Sequence, residues 1–160
     1  KNLVDSFAYR EPPYPNAREL VNRLEAQTPD SLRYLIDDLF RKITLFDNRT
    51  LDANTVETDG GYKTTLKVQS AKMYADSLGR ETPAVLNDWI EVGVFAEPEK
   101  GKKYGRALGM KRVRISEKEN TFTFFTAEKP SQAGIDPYYY VVDRVPDDNI
   151  KKVTEKTDDE

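Results

Sequence analysis

The chain has 160 residues, 25 basic against 28 acidic side chains for a formal charge of -3, and 38% hydrophobic residues, enough for one core of ordinary domain size. The near balance of charge argues against a dedicated nucleic-acid or membrane-surface binder. With no histidine and no cysteine, disulfides, thiol chemistry, the usual zinc ligands and every histidine-based triad are excluded.

The chain opens on Lys1 without a signal peptide or an apolar run of membrane-spanning length, and it reads as a piece of a longer protein. Between Tyr9 and Pro15, the residues Pro12, Pro13 and Pro15 remove backbone donors and push their predecessors toward extended backbone, predicting a loop or docking strap. Asn16 with Glu19 three residues on is a helix start, and Leu20, Val21 and Leu24 give a short apolar stripe that predicts a helix ending near Ala26. A second start follows, with Thr28 as cap, Pro29 at the first helical position and Asp30 in the first turn. Leu32, Leu35, Ile36, Leu39, Phe40 and Ile43 recur at helical spacing, with Arg41 and Lys42 near the C-terminal end. The spacing predicts one helix from Thr28 to Ile43, with an apolar face wider than two helices can bury between them.

From Thr44 the period turns toward two, with many Thr, Val, Tyr and Phe residues, and strands are predicted for the remainder. Asp59-Gly60-Gly61 signals a hairpin. A Gly60-Gly61 loop places Ala53 opposite Val68 and Thr55 opposite Leu66, whereas a turn one residue earlier pairs Val56 with Lys63, so apolar matching favours the Gly-Gly loop. Trp89 to Ala96 sets Ile90, Val92 and Val94 against Trp89 and Phe95, as in a central strand covered on both sides. Lys111 to Ile115 and Thr121 to Thr126 read as a second hairpin about the polar turn 116–120, and Tyr138 to Val142 as a further strand. Pro130, Pro137 and Pro146 break up the last third.

Six or seven short strands without intervening helices predict a mainly β fold: an immunoglobulin- or fibronectin-like antiparallel β-sandwich preceded by a two-helix N-terminal segment. The expected division is a helical segment over 1–46, a sandwich over 47–153 and a disordered acidic tail over 154–160.

Several features have a functional and a plainer reading. Trp89 and Tyr138, Tyr139 and Tyr140 form a possible interaction surface for sugars or peptides, against core packing and edge filling. Gly101-Lys-Lys-Tyr-Gly-Arg-Ala-Leu-Gly109 offers glycines and lysines to a phosphate, but lacks a Gly-Lys-Ser or Gly-Lys-Thr ending and a following helix, so a solvated hairpin connection is expected. Arg112 and Arg114 extend this basic character toward an acidic partner, or simply form the wet face of a sheet. Asp136, Asp143, Asp147, Asp148 and Asn149 carry oxygen ligands suited to calcium without the spacing of a calcium loop, and are expected to form turns. Asn48-Arg49-Thr50 matches a glycosylation sequon, a frequent chance match. No carboxylate pair can be assigned across a cleft from spacing alone.

Two segments carry a resemblance: TPDSLRYLIDDLFRKITLFDN, from Thr28 to Asn48, and EKPSQAGIDP, from Glu128, followed by DRVPDDN, from Asp143 to Asn149. With NDWIEVGVF from Asn87 between them, these are similar to the C-terminal end of bacterial zinc aminopeptidases of the aminopeptidase N-like family, especially forms fused to ABC-transporter-permease-like membrane segments. The resemblance implies an upstream catalytic domain whose histidines hold zinc. A chain without histidine cannot supply that site, so no catalytic or metal residue is carried over and no cofactor is expected in this fragment. It further implies a non-catalytic accessory module whose partners are the upstream catalytic and helical domains of the same parent chain. Nucleic acid and direct membrane insertion are not expected, and the implied location is the extracytoplasmic side of a bacterial membrane. The alternative is an autonomous peptide- or carbohydrate-binding sandwich.

Overall fold

The computed structural model describes Val4, Asp5, Tyr14 and residues 16–156, so the predicted proline strap lies almost wholly outside the described residues. The chain divides into two compact units, Lys1–Thr44 with Ala75–Arg80, and Leu45–Tyr74 with Glu81–Glu160.

In the first unit, helix α1 spans Ala17–Gln27 and opens on the predicted capping box. The Asn16 carboxamide accepts from the Glu19 N–H at 3.1 Å and the Glu19 carboxylate from the Asn16 N–H at 2.9 Å, satisfying two of the helix's orphan donors. Thr28 closes this helix instead of starting the next, since its hydroxyl donates to the Leu24 carbonyl at 2.6 Å. The single helix predicted from Thr28 to Ile43 is therefore two short pieces, a 3-10 turn at Asp30–Leu32 and helix α2 at Tyr34–Phe40. Both the Arg41 and Lys42 N–H groups converge on the Asp37 carbonyl, ending the helix. The Thr44 hydroxyl takes the Asp38 carbonyl at 2.9 Å. Ile43 fits the helical period by spacing but belongs to the first strand, where β-branched residues pack better. Of the side chains in these helices only Ile36 is buried. Leu20, Leu24, Leu39 and Phe40 are exposed. Among the described residues no helix is long and apolar enough to cross a membrane.

The second unit is mainly β. The strands, which apart from Ile43, Thr44 and Ala75 fall in this unit, are β1 (Ile43–Thr58), β2 (Gly61–Ala75), β3 (Glu81–Pro83), β4 (Asp88–Phe95), β5 (Ala107–Ile115), β6 (Glu119–Thr126), β7 (Gln132–Ile135), β8 (Ile150–Lys152) and β9 (Thr154–Glu155). One sheet runs β3-β2-β1-β9 with β6 also on β2, and the other runs β5-β4-β7-β8. A single core joins them: Phe46, Ala53, Leu66, Val68 and Phe124 from the first sheet meet Ile90, Val92, Val94, Ile115, Ala133 and Ile135 from the second. This is a β-sandwich preceded by a short helical segment, the predicted class. β4 is a central strand, as predicted for Trp89 to Ala96, with β5 on one side and β7 on the other, but Trp89 is exposed, so the expected cover on both faces does not extend to it.

Register departs from prediction in three places. The β1–β2 turn is Asp59-Gly60, not Gly60-Gly61, and it sets Thr55 against Thr64 with their hydroxyls 3.2 Å apart. Apolar matching misjudged this because the buried partners are a hydroxyl pair. The inward row of β1 also changes phase: Phe46, Asn48 and Thr50 are buried, then Ala53 and Thr55, as when an extra residue enters a strand. Second, β5 and β6 do not pair as a hairpin. β5 pairs with β4 and β6 with β2, so the polar turn between them carries the chain from one sheet to the other. Third, the segment expected to be disordered from Thr154 contributes β9, which pairs parallel to β1 through Asn54–Thr154 and Thr55–Glu155. Residues 157–160 lie outside the described set.

Candidate functional site

Tyr138 to Val142 form a loop, not the predicted strand, and Asp136 is the reason. Asp136 sits just past β7 with φ 43°, and Tyr139 follows with φ 57°, a left-handed backbone that costs a side-chain-bearing residue about 1–2 kcal/mol. The Asp136 N–H donates to the Glu91 carbonyl at 2.7 Å and its own carbonyl accepts from the Tyr139 N–H at 3.1 Å. Its buried carboxylate accepts from the Tyr140 and Val141 N–H groups at 2.9 and 3.2 Å. With these three successive backbone donors turned onto Asp136, Tyr139 to Val141 have none left for a sheet ladder.

The loop lifts three tyrosines over the end of β4. Phe95, fully buried, meets Tyr138 edge-on at 6.3 Å between ring centroids and Tyr104 at 5.7 Å. Tyr140 lies 6.1 Å from Tyr138 with the rings inclined by 58°. Tyr139 bonds through its hydroxyl to Tyr104 at 2.7 Å and to the Lys103 ammonium. Lys103 in turn reaches Asp147 at 3.2 Å and stands over the Tyr104 and Tyr139 rings at 5.6 and 4.9 Å, within cation–π range. Tyr138 and Tyr139 are partly exposed, and Tyr140 is 69% exposed.

The Tyr139 hydroxyl bond, helped by Asp147, holds the Lys103 ammonium well above its ordinary pKa. Burial, then the bond to Tyr139, pushes the Tyr104 phenol up to about 12. At neutral pH the site thus presents the Lys103 cation, paired with Asp147, beside the neutral Tyr104 phenol. Burial raises the Asp136 carboxyl above its ordinary value, against the opposing pull of the Tyr140 and Val141 N–H groups. A folded pKa above the unfolded one means that the native state binds more protons, so this group makes stability fall as pH rises from the ordinary aspartate pKa through its raised folded value. Asp136→Asn is expected to flatten that part of the stability–pH curve. Thermal melts of both proteins between pH 3.5 and 7 check it, and parallel curves would show that Asp136 does not titrate there.

Trp89 does not join the tyrosines. It stands six residues before Phe95 on β4, roughly 20 Å along the strand, with its ring beside Arg114 at 5.9 Å. The other candidates resolve as follows. In the Gly101–Gly109 segment, Lys102 pairs with Glu99 at 2.8 Å, Lys103 is drawn into the tyrosine cluster, and Ala107 to Gly109 already belong to β5. Arg112 pairs with Glu91 at 2.9 Å, and Arg114 bonds Asn87 at 2.5 Å. The Asp143 carboxylate takes the Asn48 and Val145 N–H groups at 3.1 and 3.0 Å, and Asp148 faces Arg49 at 3.9 Å. Among the described residues no three acidic side chains gather as metal ligands. Asn48 of the sequon is buried, with its carboxamide oxygen accepting from Ser70, so a glycan cannot be attached in the folded state. No spacing in the sequence groups Lys103, Tyr104 and Asp147 with the tyrosines. The one local hint was an aromatic residue, Tyr104, inside a loop otherwise of glycine and charge.

Fold and site together define a β-sandwich with a helical segment before it and a lysine-pinned tyrosine surface over one end of β4. No family model, no curated protein and no solved structure matches the chain.

Proposed function

We propose that the chain is a non-catalytic accessory module of a larger zinc aminopeptidase-like protein, acting by contact with the peptidase region of its own parent. One observation carries this reading. The helices bury Ile36 alone and leave Leu20, Leu24, Leu39 and Phe40 exposed, Leu39 by 68%. Leu20 and Leu24 lie one turn apart on the same side of α1. Exposed apolar groups gathered in this way mark interaction surfaces, and helices this short draw their stability from packing, not propensity. The resemblance of the Thr28–Asn48 segment to the end of aminopeptidase N-like enzymes supports the peptidase region as the partner. Zinc and the peptide-hydrolysing chemistry would belong to that partner, on the extracytoplasmic side of the membrane.

The test mixes this chain with the separately produced catalytic region of its parent and measures association by sedimentation and peptidase turnover. Association is expected, and it should weaken by roughly tenfold or more in Leu39→Ser/Phe40→Ser, because losing two buried apolar side chains removes more than the 1.4 kcal/mol that a tenfold change requires. Wild-type protein that neither associates nor alters turnover overturns the proposal, as does full association by the double variant.

A further inference from the structure

We propose that the Tyr138–Tyr140 loop is a binding site for a neutral oligosaccharide, independent of the helical surface. Two residues with side chains three positions apart in one loop, Asp136 and Tyr139, are held in left-handed backbone, and such outliers gather at ligand clamps because surrounding bonds must sustain them. Here the sustaining bonds are the Asp136 carboxylate on the Tyr140 and Val141 N–H groups and the Tyr139 hydroxyl on Tyr104 and Lys103. Their effect is to keep Tyr140 outside, 69% exposed, beside the half-exposed Tyr138. An aromatic pair that could have been folded inward is instead fixed and presented, which lowers the ordering cost of binding.

The chemistry of the surface selects the ligand. Lys103 and Asp147 form a compensated pair, so nothing here attracts a polyanion or a polycation in particular. What is offered is two inclined ring faces flanked by an ammonium, a carboxylate and phenolic hydroxyls. A pyranose matches this, with a face of C–H groups to lie on a ring and a rim of hydroxyls that both donate and accept. Successive sugars in a chain turn relative to one another, as Tyr138 and Tyr140 do at 58°. A peptide adding as a strand needs free backbone donors, and those of Tyr139, Tyr140 and Val141 are all turned onto Asp136.

The test titrates the whole chain, with its tyrosine rings isotopically labelled, with cellohexaose and chitohexaose. Saturable shifts of the Tyr138 and Tyr140 ring signals are expected with at least one of them. Tyr140→Ala should weaken binding by roughly tenfold, the loss of one stacking ring, with an unchanged melting temperature because the ring is solvent-exposed. Phe125→Ala, an exposed aromatic on the other sheet, should bind as wild type. The proposal is overturned by the absence of shifts with both sugars or by equal binding of Tyr140→Ala. Saturable shifts with decaproline and none with sugar would likewise overturn it, marking the loop as a peptide reader.

Discussion

Replacing Lys72 by methionine is expected to lower unfolding free energy by about 3–5 kcal/mol, a large share of the 5–15 kcal/mol that holds an ordinary domain together. Lys72 on β2 and Asp88 at the start of β4 join the two sheets through an ion pair with side chains 3% and 7% exposed. The ammonium lies 3.0 and 3.2 Å from the two carboxylate oxygens and beside the Phe46 and Tyr74 rings at 5.6 and 5.8 Å. Methionine fills the same channel but leaves Asp88 buried without this cation. The loss therefore measures the stranded carboxylate more than the attraction between the charges. Lys72→Met/Asp88→Leu separates the two, because it leaves no buried charge behind and strands only groups such as the Asn87 N–H that bonds Asp88 at 3.1 Å; it is expected to regain much of the stability. Urea unfolding followed by far-ultraviolet circular dichroism checks both proteins. A single variant within about 1 kcal/mol of wild type, the worth of an exposed pair, would mean that water reaches the site.

What was legible in the sequence follows from how local each signal is. The capping box of α1 is complete within Asn16 to Glu19, and it was read correctly. The extent of helix α2 is not legible locally, because Ile43 satisfies the helical spacing and the strand preference at once, and nothing local says that Thr28 serves the helix before it. The β1–β2 turn was misplaced by one residue because apolar matching assumes an apolar interior, while the inward row of this sheet includes Asn48, Thr50, Thr55, Thr64 and Ser70, all buried. Several of these bond one another: Ser70 donates to the Asn48 carboxamide oxygen, and the Thr55 and Thr64 hydroxyls meet. Thr50 donates to the Asn149 carbonyl at 2.6 Å across 99 positions of sequence. A turn can likewise be recognised at 116–120 without revealing that it changes sheets.

The candidate site shows the same division between local and distant information. Grouping Trp89 with Tyr138, Tyr139 and Tyr140 rested on residue type, and strand geometry separates Trp89 from the others. Tyr138 to Val142 has the composition of a strand, but a single buried carboxylate two residues earlier redirects its backbone. The meeting of Tyr104 with Tyr139 spans 35 positions, a distance over which no periodicity or spacing carries information. What sequence could supply was the neighbourhood of the site, three consecutive tyrosines after Asp136-Pro137. The lysine that pins them and the ring beneath them come from the topology, through the β4–β5 connection and the end of β4.

That dependence makes Phe95 the position where fold and site can be tested together. Phe95 is fully buried at the end of β4, its carbonyl accepts from the Ser131 N–H at 2.8 Å, and its ring supports Tyr104 and Tyr138. Phe95→Ala is expected to cost about 3–5 kcal/mol, the usual range for truncating a buried phenylalanine. Leu66→Ala, fully buried in the sandwich core on β2, is expected to cost about 2–5 kcal/mol. The two should differ in where the damage appears. Losing Phe95 leaves the Tyr104 and Tyr138 rings without their floor, so the near-ultraviolet tyrosine signal and the tyrosine ring shifts should change strongly in the still-folded protein. Losing Leu66 opens a cavity between the sheets and should leave those ring signals as they are. Conserving the fill with Phe95→Leu is expected to recover much of the stability while leaving the tyrosine signals altered, because an aliphatic side chain fills volume but offers no ring edge to Tyr138. Equal changes in the tyrosine signals for Phe95→Ala and Leu66→Ala would show that the loop is held by the sandwich as a whole and not by this one ring.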